Sequence, residues 1–510
     1  MEDIDSLWTA GLLRRFWAWL RHYRAAFFSS LTCGLLAHMF AFTNKLINHD
    51  EAGCLFSKGA TVSSGRWGLG ALDSILPNFS MPWIYGILTI VLIALAVCLM
   101  ADLFHIRSRL LQALLGGCVL AFPSLTGTFG YMFTSSSYGV AFLLAVLGVW
   151  LVCKGRLWAV AGLAAVVLSL SIYQAYIAIT ATLLVLVLIR DLLQGQQVLP
   201  VFKRGLFFLG FLIVSLGLYV LATALVLNLT HTQMSSYAGD GLTFHISALP
   251  ARMVLAYQEF FRSFTQGAYG LMPGTQGLHL LLAAASLGLL GCWLWTGKHH
   301  PGSIVLLLVL VALLPLSINC MFLFTAEDSI HTLVLYSFLG FYLLSAVLMQ
   351  EVLPENALAA VTAKVLKNAG ILGMALVIAG NILLANEAYL QLFLRYENAF
   401  TFYSNILATA QQTPGFQEGC KVAIVGGWQA PAYEDRFENL DQLTGVKGFL
   451  ITDYSAPQFL ANYLGVSLPF ADEAQAEALR QTDQFQQMPI YPYHGSIQCI
   501  GDYLVVKLSE

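Results

Sequence analysis

Apolar residues in this chain come in long runs separated by short charged interruptions, rather than at the spacing of half-buried surface elements. Runs near 20 residues match the length an α-helix needs to cross the hydrocarbon core of a bilayer. Read against the interrupting charges, they predict eleven spans, near residues 25–43, 83–104, 110–128, 137–152, 157–172, 174–190, 205–227, 277–296, 303–324, 331–349 and 369–388. The 33 residues 157–189 carry no charge, so one long tilted helix competes there with two short ones broken between Ser171 and Tyr176. Two fit the charge balance better.

Composition agrees. The 510 residues are 58% hydrophobic and 10% charged, against roughly 45–50% and about 25% in soluble domains, and the mean hydropathy is +0.72. A soluble enzyme with one buried core is excluded. The net charge of −3 provides no field for nucleic acid. Nine cysteines without a CxxC pair, and the lack of an HExxH or a histidine cluster, give no zinc or thioredoxin-type signature.

Basic residues set the expected orientation. With the N-terminus inside, Arg14, Arg15, Arg21, Arg24, Arg107, Arg109, Lys154, Arg156, Arg190, Lys203, Arg204, Lys298, Lys364 and Lys367 fall on the cytoplasmic side, and only Lys45, Lys58, Arg66, Arg252 and Arg262 fall in outer loops. The chain is expected to sit in a bacterial cytoplasmic membrane with its N-terminus cytoplasmic and its C-terminus extracytoplasmic. The first span lacks a small-residue cleavage pattern and reads as uncleaved. Residues 1–24 read as an amphipathic helix on the inner face, with Trp8, Phe16, Trp17 and Leu20 on its apolar side. Residues 391–510 carry charge at ordinary density and strand-like runs at Lys421–Gly426, Lys447–Thr452 and Tyr503–Leu508, which predicts a small extracytoplasmic α/β domain. Residues Tyr389–Gln412 read as a helix continuing outward from the last span. Cys420 and Cys499 begin strand-like runs and would be placed for a disulfide if those strands are neighbours.

Acidic residues avoid the middle of the spans. Asp50, Glu51, Asp73, Asp240, Glu259, Glu327 and Asp328 lie at outer helix ends, whereas transporters place ionisable groups at mid-bilayer. This favours a reaction at the outer interface on a substrate whose apolar part stays in lipid. The sharpest constellation is Asn44, Lys45, Asn48, His49, Asp50 and Glu51: an adjacent acidic pair just after a span holds a carboxylate where partial desolvation suits a general base. A solvated acidic turn is the plain alternative. Beyond it, Lys58, Arg66 and Trp67 offer cations for phosphate beside an aromatic face, or else a snorkelling arginine and an interfacial tryptophan. Tyr131, Tyr173, Gln174 and Tyr176 suit sugar hydroxyls, or interhelical bonding. Arg252 and Arg262 are further phosphate candidates, although Glu259 stands three residues before Arg262 and could pair with it. Glu327 and Asp328, with His331, could bind acceptor hydroxyls or a divalent metal; no other cofactor is indicated.

These segments resemble the bacterial membrane glucosyltransferases of serotype conversion, in the GT-C class. The resemblance rests on Asn48–Glu51, Ser64–Gly68, Phe129–Tyr138 and Leu170–Tyr176 with its Ile-Tyr-Gln-Ala-Tyr core, and covers roughly residues 25–390. It implies a polytopic α-helical membrane fold of about eleven transmembrane helices that transfers glucose from a polyprenyl-phosphate carrier to a surface polysaccharide. Transfer would be a single inverting displacement on the outer membrane face, in a cell holding a partner flippase and a donor-synthesising transferase. The family often has two aspartates where this chain has Asp50 and Glu51. Asp50 takes the place of the first, which favours it as the base and leaves Glu51 to orient His49 or Arg66 or to bind acceptor. His49 joins the acceptor-binding candidates. A lipid-linked oligosaccharide flippase and an outer-face glycan polymerase or ligase are the competing readings.

Overall fold

In a run without polar side chains the backbone must satisfy its own hydrogen bonds, and the helix does so within one segment. The computed structural model describes residues 9–57, 59, 61–75, 79–235, 246–266, 274–297, 299–325, 330–354, 356–417, 419–446 and 448–510. Its helices are α1 (Thr9–His22), α2 (Arg24–Thr43), α3 (Trp67–Asp73), α4 (Pro82–Leu103), α5 (Arg109–Leu120), α6 (Pro123–Gly130), α7 (Met132–Lys154), α8 (Arg156–Ile172), α9 (Ile177–Leu193) and α10 (Val198–Leu229). They continue with α11 (Leu249–Thr265), α12 (Gln276–Thr296), α13 (Pro301–Ile318), α14 (Leu339–Glu351), α15 (Ala357–Ala410), α16 (Ala456–Tyr463), α17 (Glu473–Arg480) and α18 (Asp483–Gln487).

Ten helical segments among the described residues are long and apolar enough to cross a membrane, and each overlaps an expected span. The remaining expectation, near 157–172, corresponds to α8, whose 17 residues stand at the short end of the spanning range. The uncharged stretch does divide in two. Tyr173 is extended, and a single 3-10 turn, Gln174–Tyr176, leads into α9. The break lets the Gln174 amide leave the helix axis and donate to the Ser64 carbonyl at 2.9 Å and the Tyr219 hydroxyl at 3.0 Å. At the end of the bundle where α2 begins, the acidic side chains are taken up by partners. Asp102 accepts from Tyr23 and Trp150, and Asp191 is held by Arg190 and Arg204.

At the opposite end α15 runs on past the bundle without interruption for 54 residues in all. Its last turns carry a three-stranded sheet of β1 (Lys421–Val425), β2 (Ile497–Ile500) and β3 (Tyr503–Lys507), in the order β1-β3-β2. β3 is parallel to β1 and antiparallel to β2. Alternation of side chains gives the sheet two buried faces. Val422, Ile424, Leu504 and Val506 pack with Phe402, Tyr403 and Ile406 of α15, whereas Ala423, Val425 and Val505 pack with Leu479, Phe485 and Met488.

Two expectations fail here. The run Lys447–Thr452 is not a strand: Lys447 lies outside the described residues, and carbonyls of the segment are taken by α15 side chains instead. Arg395 donates to Val446 and Gly448, and Tyr403 donates to Leu450. Cys420 and Cys499 are free thiols, because β3 lies between the strands they adjoin.

Candidate active site

The loop that follows α2 folds around Asn48. Its side-chain carbonyl accepts from the backbone N–H of Asp50 at 3.0 Å and of Glu51 at 2.8 Å, a local turn that Asn stabilises without help from sheet or helix. Two neighbouring carboxylates leave that turn in different directions. Glu51 is completely buried. It is ion-paired to Lys45, accepts from the Ser80 hydroxyl, and accepts from the Phe133 N–H at 3.3 Å at the start of α7. Lys45 closes the triangle by donating to Ser80 at 2.8 Å. The partners of Glu51 are therefore Lys45, Ser80 and α7, rather than His49 or Arg66. Asp50 is 37% exposed, has the His49 imidazole 3.7 Å away, and accepts from the Tyr454 hydroxyl at 2.9 Å.

The C-terminal region forms one wall of this loop. Ile47 and Ala52, which bracket the acidic pair, belong to the same buried cluster as Phe402, Tyr403, Phe459 and Leu460. Asn462 donates to the Ala52 carbonyl at 2.8 Å, and Asn48 donates to Gly445. Gly445 sits at φ +88, and a β-carbon there would lie 2.5 Å from the Gly127 carbonyl oxygen. Only glycine allows both that backbone conformation and that approach. Arg395 and Glu434 hold the segment in place through a buried two-point pair at 2.7 and 2.9 Å, while Thr332 donates to the Gln442 carbonyl.

Arg66 precedes α3 and is half-buried. Its guanidinium donates to the Tyr138 hydroxyl at 3.2 Å and to Gln174 at 3.4 Å, and lies 5.5 Å from the Tyr173 ring. Tyr138 and Tyr173 are stacked at 4.3 Å, and Tyr176 meets Tyr173 edge-on at 5.0 Å. Phe133 and Tyr138 share α7, so the anchors of Glu51 and Arg66 stand about 8 Å apart along one helix axis. Trp67 donates to Thr223 of α10, and Tyr131 packs beside Gly445.

Other candidates sit differently. Arg252 donates to the Leu323 carbonyl, and Arg262 is engaged by Glu259 at 2.8 Å and by Gln266 at 2.7 Å. Both thus serve α11 and its packing. Lys58, Glu327 and Asp328 lie outside the described residues, and no group of three or more His, Cys, Asp or Glu side chains is placed to hold a metal ion among the described ones.

A family model described as glucosyl transferase GtrII matches residues 39–344, well over half of the chain. The chain belongs to this family. The match contains the Asp50–Glu51 loop, Arg66 and the tyrosine stack, and ends before the C-terminal region that walls the acidic loop. No curated protein matches the chain, and no solved structure does either. For this glycosyltransferase, sequence reasoning missed Ser80, the Phe133 N–H, Tyr454 and the Arg395–Glu434 pair. Only Arg395 left any trace, as a cation two turns beyond an apolar run.

Proposed function

We propose that the protein transfers glucose from a polyprenyl-phosphate carrier to a surface polysaccharide, by a single inverting displacement at the outer face of the cytoplasmic membrane, with Asp50 as base. What carries the reading is the unequal state of the two carboxylates. Glu51 is sealed and saturated with partners, which makes it a scaffold, while Asp50 stays open to an incoming hydroxyl. The acceptor oxygen attacks the anomeric carbon as the bond from that carbon to the phosphate oxygen breaks. The hydroxyl proton passes to Asp50, and the carrier leaves as its phosphate. A leaving phosphate needs a cation more than a proton. Arg66 supplies one, and the buried stack of Tyr138, Tyr173 and Tyr176 positions its guanidinium rather than meeting the sugar. The N-terminus is cytoplasmic and the C-terminus extracytoplasmic in this reading, supported by the distribution of Lys and Arg between loops.

The test is direct. Purified protein in lipid is given polyprenyl-phosphate glucose with and without cell-surface polysaccharide, and free carrier phosphate and labelled glycan are measured. Carrier release coupled to glycan labelling is expected. Movement of an intact lipid-linked oligosaccharide across the bilayer, without carrier release, would favour the flippase reading instead.

A further inference from the structure

Outside the family match, the C-terminal region holds a cleft of about 770 Å³ between the last turns of α15, the start of α18 and residues 491–499. Its described walls contain no carboxylate, lysine or arginine, and one imidazole, that of His494. They present instead the side-chain amides of Asn405, Gln412, Gln484 and Gln498 and the ring of Tyr493, which is 73% exposed. Three of the amides are oriented by single donations: Gln484 to the Cys499 carbonyl at 3.2 Å, Gln498 to Gly495 at 2.8 Å, and Asn405 to the Tyr491 hydroxyl at 3.4 Å. Each keeps its carbonyl oxygen as an acceptor and one N–H as a donor. The Gln412 amide and the Tyr493 hydroxyl make no hydrogen bond among the described residues.

Paired donors and acceptors without net charge, next to a large exposed ring, match one ligand chemistry best. Vicinal hydroxyls both donate and accept, and the C–H face of a pyranose packs on an aromatic surface. An anionic ligand would find no lysine or arginine here, only the imidazole of His494, and a lipid chain would leave the amides without partners. The geometry points to a binding cleft for a neutral oligosaccharide, separate from the Asp50 loop. Resting on the proposed transfer to polysaccharide, the inference further assigns the occupant as a distal stretch of the same acceptor chain. Arg395, which holds the wall of the catalytic loop, and Asn405, which lines the cleft, are ten residues apart on one helix. That places the cleft about 15 Å further out along α15, within reach of an acceptor a few sugars long. The cleft would then retain a polymer while one of its units is glucosylated.

Full-length protein in lipid nanodiscs would be applied to an array of neutral and uronic- or sialic-acid-containing oligosaccharides, alongside Tyr493→Ala, Gln412→Ala and Asp50→Asn. Tyr493 and Gln412 are exposed, so both variants should fold; matching thermal unfolding checks this. Neutral glycans are expected to bind in preference to acidic ones. Each cleft variant should weaken binding by roughly tenfold, the cost of a lost contact of about 1.4 kcal/mol, while Asp50→Asn leaves it intact. The inference is overturned if no neutral oligosaccharide is retained, if acidic glycans bind equally, if the cleft variants bind like the parent, or if Asp50→Asn alone abolishes binding. Carrier release from polyprenyl-phosphate glucose is measured on the same samples. Release without glycan binding removes only the cleft, whereas glycan binding without release removes only the transfer reaction.

Discussion

Replacing Asp50 by Asn and Glu51 by Gln should separate chemistry from scaffold. Glu51 has no solvent exposure, and its partner Lys45 is 27% exposed. Removing one member of a fully buried pair costs about 3–5 kcal/mol, and the partial exposure of Lys45 reduces this to roughly 2–3 kcal/mol. Glu51→Gln should therefore lower the unfolding temperature and lose activity in step with the folded fraction. Asp50 is more than one-third exposed, and its charge can be removed for about 0.5 kcal/mol or less of stability. Turnover by Asp50→Asn should nonetheless fall by about 10²–10⁴, or roughly 3–5 kcal/mol in barrier height, with donor binding unchanged because the base acts on the acceptor. Thermal unfolding, donor affinity and carrier release would be followed for both variants and the double variant in one lipid background. Near-normal turnover in Asp50→Asn, or complete loss in a Glu51→Gln protein of normal stability, would refute the assignment. An active double variant would make both carboxylates structural and move attention to Glu327 and Asp328.

Arg66→Lys keeps the charge but loses the planar fork that spans Tyr138 and Gln174, so release of carrier should slow at least tenfold in protein that inserts normally; unchanged kinetics would leave Arg66 a snorkelling residue. The Tyr454 hydroxyl, its pKa pushed up to about 12 by desolvation and by Asp50 beside it, remains a donor throughout the working range. Because that hydrogen bond fixes the Asp50 carboxylate against the C-terminal wall, Tyr454→Phe should lower turnover by roughly tenfold with thermal unfolding unchanged, and unaltered turnover would detach Tyr454 from the base. Glu434→Gln leaves Arg395 buried without its counter-charge, at a cost of about 3–5 kcal/mol, and limited proteolysis should then cut the 440–455 segment sooner than in the parent. A reporter active only in the cytoplasm, fused after Leu508, should be silent; a bright fusion would reverse the proposed orientation.

The membrane helices were legible because transfer of a side chain from water to lipid is nearly a local property, so a run of apolar residues carries its own prediction. The break at Tyr173 and the pairing of Glu259 with Arg262 were legible for a related reason, since both follow from neighbours within one or two turns. The partners of the acidic pair were not. Tyr454 is separated from Asp50 by 404 positions, Ser80 is an ordinary serine before a span, and the Phe133 contribution is a backbone N–H with no sequence signature. Lys447–Thr452 has the composition of a strand, yet tertiary demand for its carbonyls overrides that propensity. Ile497–Ile500, an edge strand of four residues, is too short to announce itself.

That Ile47 and Ala52 are buried among Phe402, Phe459 and Leu460 has a consequence for biosynthesis. The residues that set the conformation of the Asp50 loop are made some 400 positions after it, and at about 5–20 residues per second the ribosome needs roughly 20–80 s to supply them. During that interval the membrane helices can already be inserted, yet the loop lacks the wall that shapes it. With Asp50 as the proposed base, a nascent or truncated chain would be catalytically silent, and the cell's pool of activated sugar would be protected from half-made copies of the enzyme.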